Sequence, residues 1–186
     1  MPVIPISNLT NAKPTSGINE FIPIIQGGTT LKLPTTGFVG GVCNSKTSGY
    51  TFIGGGLRNN ATGSTSVIAG GATNTASGPL SFIGGGYKNV AGALESIVVG
   101  GVCNTSCGVY SFIGNGRANN STGQCSFIGT GFSNCNIGTS SFIGSGCYHT
   151  ICINSANSFI GAGILNTICS SGNGIGGGNR NETTGS

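Results

Sequence analysis

A unit of fifteen residues repeats along most of this 186-residue chain, and it constrains the fold more than any other feature. Blocks such as FIGGGLRNNATGSTS, from Phe52, and FIGGGYKNVAGALES, from Phe82, share one register, in which Phe52 is position 1. A unit this short cannot bury its own apolar face, so successive units must stack on one another. The repeat therefore predicts an elongated solenoid rather than a globular domain.

Three positions of the repeat are nearly constant, and each predicts a feature of a stacked coil. Position 5 is Gly, which indicates a bend with positive φ or close backbone approach. Equivalent residues of stacked parallel strands lie roughly 4.8 Å apart, so position 2 predicts a buried aliphatic ladder: Ile53, Ile68, Ile83, Val98, Ile113, Ile128, Ile143, Ile160 and Ile175. Position 8 predicts a ladder of hydrogen-bonded amides at a second bend, where Asn tolerates left-handed backbone angles. It contains Asn44, Asn59, Asn74, Asn89, Asn104, Asn119, Asn134, Asn166 and Asn181, with His149 in the place of one Asn.

Position 1, next to the buried ladder, is also apolar. Successive residues of a strand face opposite sides, so this column is expected to face outward and form a stripe that attracts other apolar surfaces. We call it the Phe stripe: Phe52, Val67, Phe82, Ile97, Phe112, Phe127, Phe142 and Phe159. The stripe predicts a homotrimer in which three such columns converge. A wider single-chain solenoid that buries both columns is the alternative.

These patterns together predict an all-β protein. Residues 37–186 are expected to form a parallel β-solenoid (a β-roll or β-helix) of about ten coils with two short strands each, and residues 1–36 a small N-terminal β module. The module is predicted to be a hairpin around Gly27-Gly28 that caps the solenoid or docks it to a base. The sequence ends at Ser186, part of the way through a coil. This predicts either a fragment or an open end that meets another subunit.

Composition argues against several classes of function. Seven basic residues outnumber three acidic ones but are scattered along the sequence, whereas nucleic-acid binders concentrate their charge; no nucleic-acid partner is expected. No apolar stretch has the roughly 20 residues of a membrane span. Glycosidases need two facing carboxylates, and Glu95 and Glu182 lie several coils apart. The sequence therefore predicts no enzyme and no cofactor.

Eight cysteines and one irregular coil are the remaining candidates for a site. The cysteines form no pair of CxxC motifs, which predicts no metal site and favours free thiols that pack as small hydrophobes. Cys152 and Cys169 share position 11 of adjacent coils, so a disulfide between them is the alternative. Tyr148 and His149, with two extra residues somewhere within 151–158, are candidates for binding a ligand.

Two resemblances bear on the function. The pattern Ser-Phe/Val-Ile-Gly-x-Gly-x-x-Asn over residues 37–186 resembles the head repeats of trimeric autotransporter adhesins, which implies a trimeric parallel β-roll. This chain differs in its coil length and in having Phe before the Ile. Residues 6–33 are similar to a segment common in tailed-phage fibre and other virion proteins, which implies a virion location. That similarity rests on Ile6-Ser7-Asn8-Leu9, Gly17, Glu20, residues 21–28 and residues 29–33.

The leading hypothesis is therefore a structural fibre of a virion, such as a phage tail fibre. It would be an extracellular appendage that gives reach and attaches to a host surface or its glycans, mounted on the virion through its N-terminal module. Alternatives are a bacterial surface adhesin head, a self-polymerising extracellular filament, an ice-binding solenoid and a polysaccharide-cleaving spike. An ice-binding surface should show a regular Thr-x-Thr array, and Thr is irregular in this repeat.

Overall fold

The computed structural model describes residues 21–26, 29–34, 41–46 and 50–185. All the regular structure in these ranges is β-strand, so the all-β prediction is confirmed. Within the same ranges the chain has no helix of the length and apolarity that crossing a membrane requires. Most of the N-terminal segment that carries the virion resemblance, including residues 6–20, lies outside the described residues.

Two strands before the repeat pair with each other. Strands β1 (Phe21–Gln26) and β2 (Thr29–Pro34) are antiparallel, with Phe21 opposite Pro34 and Gln26 opposite Thr29. This antiparallel pairing agrees with the predicted hairpin, and Gly27 and Gly28, at which its turn is predicted, lie outside the described residues. Whether this module caps the solenoid or docks it to a base stays a prediction.

Each later strand in the described residues is two residues long, and the strands alternate between two positions of the coil. The strands at positions 1 and 2 are β4 (Phe52–Ile53), β6 (Val67–Ile68), β8 (Phe82–Ile83), β10 (Ile97–Val98), β12 (Phe112–Ile113), β14 (Phe127–Ile128), β16 (Phe142–Ile143), β18 (Phe159–Ile160) and β20 (Gly174–Ile175). The strands at positions 9 and 10 are β3 (Ser45–Lys46), β5 (Asn60–Ala61), β7 (Thr75–Ala76), β9 (Val90–Ala91), β11 (Thr105–Ser106), β13 (Asn120–Ser121), β15 (Cys135–Asn136), β17 (Thr150–Ile151), β19 (Thr167–Ile168) and β21 (Glu182–Thr183).

These strands form two parallel sheets that run the length of the repeat. Even-numbered strands β4 to β20 stack in sequence order in one sheet, and odd-numbered strands β3 to β21 stack in the other. Each residue pairs with its equivalent one coil on, as Phe112 does with Phe127. Single bridges at position 6, such as Leu57 with Ala72, add a third line of contact. The predicted parallel β-solenoid is confirmed, with about nine turns in the described residues.

Two of the buried ladders are formed by strand residues, and the sequence identified one of these two. Every member of the position 2 ladder is fully buried except Ile175, which is 7% exposed. Position 10 supplies the second ladder, and all of these residues are fully buried too: Ala61, Ala76, Ala91, Ser106, Ser121, Asn136, Ile151 and Ile168. Each two-residue strand from β4 to β20 thus contributes one buried residue and one residue that is more exposed.

The bend before position 6 explains the constant Gly at position 5. All these glycines have positive φ, between 82° and 113°. A Cβ built on Gly86 would lie only 2.1 Å from the carbonyl oxygen of Gly101 in the next coil. Both reasons offered by the sequence pattern, left-handed backbone and close approach, therefore apply at this position.

The conformational reason given for Asn at position 8 is wrong. Left-handed backbone occurs one residue earlier, at position 7, where Arg58, Thr73 and Lys88 have φ of 54°, 58° and 54°. The position 8 asparagines are absent from the described residues with positive φ. Their amides are needed for hydrogen bonds between coils.

The two extra residues of the irregular coil form a turn at Ile153 and Asn154. Ile153 is 69% exposed, and Asn154 has a φ of 66°. The regular register returns at Asn157, whose N–H donates to the Thr139 carbonyl at 3.0 Å, as the equivalent Cys125 N–H does to Val109 at 2.9 Å. The insertion is therefore confined to the bend after the second sheet.

Gly86→Ala is expected to destabilise the solenoid by about 2 kcal/mol or more, because its backbone is left-handed and its Cβ would meet the next coil. Gly85→Ala is the matched control, since a Cβ there meets nothing within 4 Å. We expect Gly85→Ala to be neutral or slightly stabilising. Urea denaturation followed by circular dichroism measures both, and equal unfolding midpoints would contradict this account of the bend.

Candidate interaction surface

The Phe stripe lies on the outer side of the first sheet. Phe52 and Phe159 are 41% and 42% exposed, while the adjacent Ile53 and Ile160 are fully buried. The other members of the stripe range from partly to substantially exposed. The predicted alternation is thus present, and the structure does not have the wider coil that would bury both columns.

Aromatic rings in the second half of the stripe stack on one another. The ring centroids of Phe112 and Phe127 are 4.7 Å apart with planes 6° from parallel, and Phe127 and Phe142 are 4.9 Å apart at 12°. Phe142 and Phe159 continue the stack at 5.5 Å. The rings of Phe127 and Phe142 therefore have neighbours on both faces, and their edges remain for contact with a partner.

Glycine at position 3 lies between the ring at position 1 and the backbone of the next coil. A Cβ built on Gly54 or Gly144 would lie 3.3 Å from the Cε1 atom of Phe52 or Phe142, and 2.4 Å from a carbonyl oxygen of the next coil. Position 3 is Gly after every Phe of the stripe, whereas Ala69 and Val99 follow Val67 and Ile97. This pairing of Phe with Gly is visible in the sequence only when positions 1 and 3 are compared with each other.

Asparagine side chains at position 8 connect each coil to the next. The Oδ1 atom of Asn59 accepts the backbone N–H of Asn74 at 3.0 Å, and the Nδ2 atom of Asn59 donates to the Gly55 and Gly71 carbonyls at 3.0 and 2.8 Å. Asn74 and Asn89 repeat the pattern. An amide fits because it both accepts and donates. The predicted ladder of hydrogen bonds is present, although most of these bonds join a side chain to the backbone.

His149 takes over this role in the irregular coil. It is fully buried, its N–H donates to Asn134 Oδ1 at 3.0 Å, and its Nδ1 accepts the N–H of Asn166 at 3.1 Å. Since Nδ1 accepts, the proton of the neutral ring is on Nε2. Burial lowers the pKa of His149, and hydrogen bonds with the backbone of Asn166, Gly163 and Ser145 offset part of this effect. The proposed ligand-binding role of His149 is not supported by this position, because the ring lies inside the ladder.

Tyr148, the other candidate for binding, is on the surface. It is 49% exposed, and its ring contacts the edge of Phe132 with centroids 5.2 Å apart and planes at 84°. It occupies position 7, one of the left-handed positions of the coil, with φ of 59°. Tyr148 therefore belongs to an outer edge of the solenoid and not to a pocket with His149.

The sequence left open free thiols or a disulfide between Cys152 and Cys169, and the structure contains both. Cys152 and Cys169 form a disulfide between adjacent coils, with Cα atoms 4.8 Å apart. The remaining six are free: Cys43, Cys103, Cys107, Cys125, Cys135 and Cys147. Among the described residues no three His, Cys, Asp or Glu side chains are grouped closely enough to hold a metal ion.

The acidic residues of the repeat lie on different parts of the solenoid. Glu95 is at the bend before the first sheet, and Glu182 is in β21 of the second sheet. Nearly six coils separate them in the sequence, which corresponds to a distance on the order of 25 Å along the axis. Glu20 lies outside the described residues. The two carboxylates of one chain are thus too far apart to act together on one glycosidic bond.

His149→Asn is expected to remove a pH dependence of stability. The folded pKa is lowered by burial, so between that pKa and the unfolded value of about 6.5 the unfolded state binds more protons. The free energy of unfolding of the wild type should then fall as the pH drops below about 6.5, by at most about 1.4 kcal/mol per pH unit. It should not change from this group at higher pH.

Urea unfolding midpoints measured between pH 8 and pH 5 test this expectation. The variant restores the amide of the ladder and should show a flatter pH profile than the wild type over that interval. Parallel profiles for the two proteins would show that His149 does not cause the dependence.

Comparisons with known proteins assign no family to this chain. No protein-family model matches it, and a search of curated proteins finds no match. A functional proposal therefore rests on the stacked coils, the ladders that join them and the exposed Phe stripe.

Proposed function

We propose that this chain is a structural fibre segment, one of three identical chains whose Phe stripes converge in an appendage of a virion. The observation that carries the proposal is the continuous apolar stripe along one side of a regular solenoid. From Phe52 to Phe159 it extends over seven coil spacings, which is roughly 35 Å. A strand that is apolar on both faces is stable when both faces are covered.

The energetics favour association along the whole stripe. A Phe side chain that is 40% exposed, as Phe52 and Phe142 are, still presents on the order of 80 Å², and covering this area contributes about 2 kcal/mol. The phenylalanines of one stripe together contribute up to about 10 kcal/mol, which is comparable with the 4–15 kcal/mol cost of association. No single ring is therefore sufficient to hold the chains together, and the loss of two rings should make association unfavourable.

The geometry of the stripe favours an identical chain as the partner. Stacked rings offer their edges at intervals of about one coil, from 4.7 to 5.5 Å. Another solenoid with the same coil spacing presents side chains at matching intervals. Sugars, in contrast, bind aromatic residues through the ring faces, and neighbouring rings cover the faces of Phe127 and Phe142.

The location in a virion is supported by the N-terminal segment. Its resemblance to virion fibre proteins includes the residues of β1 and β2, which pair with each other. We propose that this module mounts the fibre on the virion, and that the solenoid gives it length. Such a role is mechanical and requires no catalytic residue.

The double variant Phe127→Thr/Phe142→Thr is expected to reduce the assembly from three chains to one, because it interrupts the stripe where its rings stack. Thr keeps the strand propensity of both positions. Phe132→Thr is the matched control, since Phe132 lies at position 6 and outside the stripe. Sedimentation equilibrium over a range of protein concentrations measures the mass of all three proteins.

A wild type that stays monomeric at every concentration would overturn the proposed association. A mass that keeps growing with concentration would overturn the closed trimer and favour the self-polymerising filament. Equal dissociation of the control would show that the stripe is not the contact.

A further inference from the structure

Basic side chains that are scattered in the sequence lie along one edge of the solenoid. Arg58, Lys88 and Arg180 occupy position 7, and Arg117 occupies the adjacent position 6. All four are exposed. We call these residues the basic row. Because positions 6 and 7 of successive coils stack, residues separated by 29 or 30 places in the chain lie on this edge two coils apart.

Little negative charge opposes the central part of this row. The described acidic residues are Glu95, at the bend on position 14, and Glu182, which follows Arg180 by two residues in the last coil. From Arg58 to Arg117 positions 6 and 7 contain no acidic residue. Arg58, Lys88 and Arg117 are two coils apart in turn, so their spacing along the axis is roughly 10 Å.

Aromatic residues lie beside two of these charges. The Lys88 ammonium is 5.1 Å from the Tyr87 ring centroid, and the Arg117 guanidinium is 5.8 Å from that of Phe132. Tyr87 and Tyr148 are 44% and 49% exposed. An exposed Tyr combines an apolar ring with a hydroxyl group, which suits a ligand whose units have both apolar faces and hydroxyl groups.

We propose that the basic row binds a linear acidic polysaccharide that lies along the solenoid axis. A pyranose unit of an extended polysaccharide advances by nearly the same length as one coil, so one carboxylate on every second sugar matches a cation on every second coil. Nucleic acid carries a charge about every 3.4 Å along each strand, a density several times that of the row. The charge spacing therefore favours the polysaccharide.

The site is separate from the surface proposed for chain association. The Phe stripe is at position 1, whereas the basic row is at positions 6 and 7, beyond the glycine-rich bend. The proposal extends the proposed fibre role by giving the class of surface polymer that the fibre holds. It does not depend on the number of chains in the assembly.

Isothermal titration calorimetry with sodium hyaluronate, which alternates a uronic acid with a neutral amino sugar, tests the proposal. The variant Lys88→Asn/Arg117→Gln removes the middle of the row, and Asn suits the left-handed backbone of position 88. The control Lys13→Gln/Lys32→Gln lowers the net charge equally but outside the repeat. We expect the row variant to bind about tenfold more weakly, with a shallower salt dependence, and the control to bind like the wild type.

Parallel titrations with dextran, single-stranded oligothymidylate and phosphatidylserine vesicles define the alternatives. Tighter binding of the oligonucleotide or of the vesicles than of hyaluronate would overturn the assignment to a polysaccharide. Equal binding of neutral dextran, equal weakening of the control, or no binding of hyaluronate would overturn the site.

The association variant Phe127→Thr/Phe142→Thr distinguishes this proposal from the trimer. It should keep hyaluronate binding if the row acts within one chain. Loss of binding in this variant together with dissociation would show that the site needs more than one chain, which would overturn the assignment to a single edge. Circular dichroism spectra that match the wild type establish that each variant is folded.

Discussion

The structure depends on the hydrogen bond between the side chain of one coil and the backbone of the next. At position 8 an amide oxygen accepts the N–H of its equivalent one coil on, while the amide nitrogen donates to two carbonyls at the bend. Each such bond contributes only about 1 kcal/mol, but leaving these buried groups unpaired costs about as much or more. The ladder therefore fixes the register of every coil, and the columns of the surface follow from it.

The same requirement explains the unusual composition. The coils approach so closely that position 5 has no space for a side chain, and the same holds at Gly78 of position 12: a Cβ on Gly86 or Gly78 would lie 2.1 or 1.9 Å from a backbone oxygen. Many of the glycines are thus needed for dense stacking and do not indicate a flexible chain. The outward columns are free of this restriction, and the Phe stripe and the basic row both lie there.

Most of the architecture could be predicted from the sequence, because the constant positions are those that touch the next coil. Ile at position 2 and Gly at position 5 predict the core and the bend. The second core ladder could not be found in this way, since its members change from Ala61 through Asn136 to Ile168 and share only their inward direction. The sequence correctly identified the Asn ladder at position 8. Asn is needed there for its hydrogen bonds between coils and not for a left-handed backbone.

The surface sites were harder to predict from the sequence than the core. The Phe stripe could be predicted because alternation along a strand requires it. The basic row could not, since Arg58, Lys88 and Arg117 have no local pattern and come together only when the fifteen-residue register is applied to charges. The sequence singled out His149 because its residue type is rare in the repeat, and the structure shows that its side chain takes the place of an amide inside the ladder.

The turn at Ile153 and Asn154 has a consequence for how such a chain can vary. Two additional residues project from the bend after the second sheet, yet strand pairing continues unchanged on both sides, from β17 to β19 and from β16 to β18. This bend is accordingly the place where the coil accepts added length without loss of alignment. Peptides inserted at the same point of several coils would be displayed in a straight line at fixed intervals. The solenoid is therefore suited as a scaffold that presents grafted epitopes at a defined spacing.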